Sequence, residues 1–149
     1  MSRSLRSLPG LLLATTWFSI SAPATADAAP PSVLIEQALR CELPTGKSVG
    51  VQKSLGRLGA KPTADGVADS FQLPKPVRPF NLDVTRVSAS GAEVDTYIAV
   101  LSGVRLEDVA KAANLKKGAA GYSRDTKFGT LQADVREHGD IWLMCTVLR

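Results

Sequence analysis

The stretch Ile141-Trp142-Leu143-Met144-Cys145-Thr146-Val147-Leu148 decides the fold. Side chains alternate between the two sides of a strand. Ile141, Leu143, Cys145 and Val147 therefore share one face, and Trp142, Met144, Thr146 and Leu148 share the other. Only one other cysteine exists, Cys41. It ends an apolar stripe in which Leu34, Ala38 and Cys41 recur at i, i+4 and i+7, with Ile35 and Leu39 beside them, while Glu36, Gln37 and Arg40 take the polar side. That spacing predicts a helix over Val33–Leu43, capped by Ser32 and stopped by Pro44-Thr45-Gly46. Two independent periods, 3.6 and 2, thus turn both cysteines inward. A Cys41–Cys145 disulfide is expected, tying the first helix across the terminal strand and closing a loop of roughly 100 residues.

Outward from this pair, the remaining elements follow by pattern. Val51, Leu55 and Leu58 have helical spacing, though Gly50, Gly56 and Gly59 weaken it, so a short helix is expected within 47–66. Val67 to Leu73 alternates weakly, and Pro74-Lys-Pro-Val-Arg-Pro79 must be extended. Its P-x-x-P match reads as a lead into a strand beginning at Phe80, with Leu82 and Val84 on the same face. After a turn at Ser90-Gly91, Val94, Thr96, Ile98 and Val100 form the returning strand. Leu106, Val109, Ala110 and Ala113 then mark a helix from Arg105 to Leu115. Tyr122 to Arg136 and Asp140 to Leu148 read as a hairpin through His138-Gly139. Both halves run helix then hairpin, the order an internal duplication would give, but no residue-level self-similarity supports one. The expected fold is α+β: a two-layer sandwich with an antiparallel sheet of four or five strands, packed on one face by two or three helices and held by one disulfide.

The N-terminus has the three parts of a secretory signal. Arg3 and Arg6 are followed by an apolar run from Leu8 to Ile20, and Ala22-Pro-Ala24-Thr-Ala26 supplies small residues for cleavage. The run is short of the roughly 20 residues a membrane span needs and is broken by Pro9 and Gly10. The expected division is a cleaved signal peptide at 1–26, a loose leader at 27–31 and a single domain at 32–149, located in the periplasm or outside the cell. Without Arg3 and Arg6 the eighteen Lys and Arg fall to sixteen, against fourteen Asp and Glu, so the full-chain charge of +4 becomes +2. A charge of +2 supplies no broad field for nucleic acid, and an exported pair of cysteines fits an oxidising compartment.

Candidate sites are few. If Ile141, Leu143 and Cys145 face the helices, then Trp142, Met144 and Leu148 point away from them. Either residues 60–79 cover that face, or it is exposed and receives a partner. Lys111, Lys116, Lys117, Arg124 and Lys127 are opposed only by Asp125. They read as cations serving the helix end, with a polyanion patch as the functional alternative. Thr45-Gly-Lys-Ser48 ends like a phosphate loop, but the required earlier glycine falls at Cys41. His138, the only histidine, sits in a turn without co-ligands for a metal. No cofactor is implied. The expectation is a non-catalytic binding protein of the cell envelope, acting on another envelope or secreted protein as inhibitor or accessory. The alternatives are a small secreted hydrolase working through His138 and a self-associating envelope component.

Overall fold

Pro30 and Pro31 start the first helix, α1, which runs Pro31–Leu39. Proline at the first helical position gives up an N–H that would have no intrahelical partner, and its φ is already helical. Ser32, expected as the cap, lies inside the first turn, and no side-chain cap bond forms. The helix also ends before the predicted Leu43. Cys41 follows it in the left-handed region, φ 62°, and is still buried. The computed structural model describes residues 29–64 and 67–147; residues 1–26, read above as a signal peptide, and Leu148 lie outside the described residues. A second helix, α2, spans Ser48–Arg57 despite Gly50 and Gly56, because Val51, Ser54 and Leu55 are buried on one side of it.

One antiparallel sheet of eight strands follows, not the four or five expected. Its strands are β1 (Lys61–Pro62), β2 (Ser70–Val77), β3 (Val84–Ser90), β4 (Thr96–Leu101), β5 (Lys116–Gly118), β6 (Gly121–Asp125), β7 (Gly129–Val135) and β8 (Ile141–Val147). The third helix, α3, is Leu106–Ala112, three residues short of the predicted Leu115. The additional strands have local causes. β1 and β5 are too short to show a period. The stretch Tyr122 to Arg136 is two strands, because Thr126 N–H closes a turn onto the Gly129 carbonyl at 2.7 Å. The proline-rich segment lies largely inside β2, where Pro74 and Pro76 coincide with a slip in register between Gln72 and Val77. β1 pairs only with Phe71 and Gln72, so the prolines sit where no ladder bond is required of them. The expected strand start at Phe80 is instead a 3-10 turn over Pro79–Asn81, and β3 begins at Val84.

The strand order is β1-β2-β3-β4-β8-β7-β6-β5. Each half is therefore a four-stranded meander preceded by helix, and the halves meet where β4 runs antiparallel to β8, from Thr96↔Thr146 to Leu101↔Ile141. The helix-then-strands order read in both halves is present in the topology, each half having four strands rather than a hairpin. α1 packs on β4 and β8, α2 on β3 and α3 on β7. Val87, Ala89, Tyr97, Ala99, Leu131, Ala133, Leu143 and Cys145 are buried on this inner face. The Cys41–Cys145 disulfide, with Cα atoms 5.3 Å apart, ties the end of α1 to the middle of β8. At Gly129 a Cβ would fall 2.1 Å from the Thr146 carbonyl oxygen, so only glycine lets β7 meet β8 there.

Candidate functional site

The outer face of the sheet is built in rows by strand register. Arg86, Val100, Trp142 and Asp134 form one row, and Ser88, Ile98, Met144 and Gln132 the next. Ser90, Thr96, Thr146 and Thr130 form a third. Directly opposed side chains in such pairs have Cβ atoms about 5 Å apart. Val100 and Ile98 are 5% and 7% exposed, while Trp142 and Met144 are half-buried. The four make an apolar centre inside a border of serine, threonine, glutamine and charge. The Arg136 guanidinium lies 4.9 Å from the Trp142 ring centroid, within cation–π range. Of residues 60–79, 61–62 and 70–77 are strands of the sheet itself and do not cover its face. The loop between them touches the outer face at Ser88, whose Oγ donates to the Ala68 carbonyl at 2.7 Å. Trp142 and Met144 lie two strands further in.

At one end of this face, three polar side chains lock β3, β4 and the start of β8 together. Arg86 Nη2 donates to Asp140 Oδ2 at 2.5 Å and to Ser102 Oγ at 3.0 Å. Ser102 Oγ in turn donates to Asp140 Oδ1 at 2.5 Å. The Ser102 hydrogen bond, with Arg86 behind it, holds the Asp140 carboxyl below its usual range. A carboxylate so stabilised is a weak base toward a serine proton. His138 is exposed, two residues from Asp140, and takes a left-handed backbone, φ 68°. Ser102 is thus committed to Asp140 and Arg86, and its described bonds do not reach the imidazole.

The basic stretch is divided by the fold. Lys111 is exposed on α3, and Lys116 and Lys117 point to opposite sides of β5. The two lysines therefore lie beyond the helix they were expected to serve. Arg124 does that instead: its Nε donates to the Ala113 carbonyl at 2.9 Å, just past the last turn of α3. Lys116 and Arg124 border an open cavity of about 580 Å³ with Asn114, Ser123 and Asp125. On its other side Arg124 borders a smaller one of about 250 Å³ together with Arg40, Lys127 and Phe128. Arg40 was not among the sequence candidates, because helix periodicity assigns it only to a polar side. The meeting of α1 with the β6–β7 turn, which brings it beside Arg124, has no local sequence signal.

The segment resembling a phosphate loop has an occupant of its own. Asp95 is buried, and its Oδ2 accepts the backbone N–H groups of Gly46 at 2.5 Å and Lys47 at 3.1 Å. A protein carboxylate thus takes the position at the start of α2 where an anion would be favoured. Gly91 makes room for this arrangement, since a Cβ there would meet Ser48 Oγ at 1.9 Å and Asp95 Oδ1 at 2.9 Å. Compared with family models, with curated proteins and with solved structures, the chain matches none.

Proposed function

We propose that the protein is an exported, non-catalytic binding protein of the cell envelope, and that the outer face of its sheet receives another envelope or secreted protein. The observation that supports this reading is the asymmetry of the sheet. All three helices lie against its inner face, while Trp142, Met144, Ile98 and Val100 gather on the outer one. Large side chains at the centre of a polar border match the anatomy of protein interfaces. The sheet edges suit the same reading. β1 is Lys61–Pro62 and β5 begins Lys116-Lys117, and short edges carrying lysine or proline resist strand addition. Association by the face is then favoured over association by the edge. The disulfide is compatible with the oxidising compartment that the N-terminal signal implies.

The test uses the mature chain, wild type and Trp142→Ala, as bait in envelope extract of its native host. The expected outcome is a protein retained by the wild type and lost by the variant, with a melting temperature lowered by only about 2–6 °C. Retention unchanged by Trp142→Ala moves the docking surface elsewhere. A variant that unfolds makes Trp142 part of the core and ends the reading. Sedimentation of the wild type alone separates a foreign partner from a second copy of the chain.

A further inference from the structure

The small cavity at the end of α1 has a chemistry the outer face does not share. Arg40, Arg124 and Lys127 line it together with Phe128 and Thr126, and Glu42 is the one carboxylate in the lining. Arg40 already has a carboxylate partner, Glu36 at 3.4 Å. Among the described residues Arg124 and Lys127 have no ion-pair partner. The guanidinium groups of Arg40 and Arg124 also lie 6.0 and 5.8 Å from one ring centroid, that of Phe80. An anion in the cavity would meet cations both at the end of α1 and on the β6–β7 segment.

The walls are fixed in advance. Thr126 Oγ1 accepts the Gly129 N–H at 3.1 Å and has two carbonyls within reach of its single proton, Gly129 at 2.9 Å and Cys41 at 3.2 Å. The β6–β7 turn thus packs against the residue whose sulfur is bonded to Cys145. Phe80, the ring that both arginines approach, is in the left-handed region at φ 55°, followed by Asn81 at φ 61°. A cavity of about 250 Å³ lies just below the usual range of about 300–1,000 Å³ for drug-sized ligands. Its occupant must be one small group.

We propose that this cavity is a binding site for a carboxylate carried on a small apolar or aromatic group, with Arg40, Arg124 and Lys127 taking the charge and Phe128 the apolar body. Guanidinium groups suit a carboxylate because they present paired donors in one plane. The site is separate from the outer face, since Arg124 and Leu131 share the helix-covered side of the sheet.

The probe is benzoate, titrated at constant ionic strength into the isotopically labelled mature chain while backbone amide resonances are followed. Saturable shifts at Arg40, Thr126, Lys127 and Phe128 are expected, with benzyl alcohol leaving them in place. Lys127→Gln and Arg40→Gln should each weaken binding about tenfold while preserving the rest of the spectrum. Arg124 is left intact because it also closes the end of α3. Trp142→Ala should bind benzoate as the wild type does, which keeps this test apart from that of the outer face. Shifts absent, matched by benzyl alcohol or by chloride, or unchanged in Lys127→Gln overturn the proposal.

Discussion

Ile141, Leu143, Cys145 and Val147 are each no more than 2% exposed, whereas Trp142, Met144 and Thr146, interleaved with them on the same strand, are half-buried. Backbone, pairing and neighbours along β8 are common to both sets. The difference lies in what each face meets among the described residues: α1 and the disulfide on one side, and on the other the lateral neighbours from β4 and β7 with the Arg136 guanidinium over Trp142. Hydrophobicity alone does not separate the two, since Trp142 and Met144 are as apolar as Leu143. Burial in the inner set serves folding. The outer set carries apolar surface that folding leaves partly exposed, which is the surface the proposed partner would cover.

The sharpest way to break this comparison is to remove the staple that defines the inner face. Replacing both Cys41 and Cys145 by Ala should lower stability by up to about 4–5 kcal/mol, because a bridge closing so long a loop restrains the unfolded chain strongly. Urea unfolding of the double variant against the wild type measures this. A loss near zero would mean that α1 holds to β8 by packing alone. In unfolded, unreduced wild-type protein, thiol labelling should find neither cysteine reactive.

Next in size is the contrast between adjacent residues. Leu143→Ala should cost about 2–5 kcal/mol, since a buried leucine leaves a cavity in the helix-covered side. Met144→Ala, one residue on, should cost less, about 1–2 kcal/mol, because its side chain is only partly removed from water. Equal losses at the two positions would show both faces to be core.

Much of this was legible in the sequence, and the failures have identifiable causes. The facing of β8 and the disulfide followed from period, because both cysteines sit in strongly patterned segments. Cys41 nevertheless lies past the end of its helix, so the inward direction was right although the helix was extended too far. The missing strands were missed for lack of length: two residues in β1 and three in β5 carry no alternation. β2 was obscured by Pro74 and Pro76, which read as non-strand unless the short pairing of β1 is known. The outer face was visible in the alternation of Trp142 and Met144. Ile98 and Val100 joined it only through the register of β4 with β8. Arg124 and Lys127 were legible as part of the basic stretch, but their meeting with Arg40 was not, because two segments distant in sequence supply that cluster.

A smaller effect lies at the end of the outer face. Ser102 and Arg86 stabilise the charged form of Asp140 more than partial burial disfavours it. Its folded carboxyl therefore titrates below the ordinary aspartate value of about 4. The sign follows: this stabilisation is present above the unfolded value and is lost as pH falls through the folded one. Asp140→Asn should flatten the acid limb of stability against pH while changing little at neutrality beyond the lost ion pair. An acid limb identical to that of the wild type would show the latch to be idle.

The smallest change in stability is expected at Lys116 and Lys117, and it bears on why the protein would associate by its face. Both lysines are exposed on the edge strand β5, and α3 ends before them at Ala112. Changing both to Gln removes no described ion pair and no helix cap, so the cost should be within about 0.5 kcal/mol. Changing both to Val should also leave the fold stable, because β-branched residues suit a strand. The two variants should part in association. Lysine at an edge opposes pairing with another strand through charge and hydration, and valine removes that barrier. Light scattering at rising concentration should show the valine variant growing into larger species while the glutamine variant stays close to the wild type. If the valine variant remains as dispersed as the wild type, the shortness of β5 protects the edge by itself. The lysines would then have no part in directing contact to the Trp142 face.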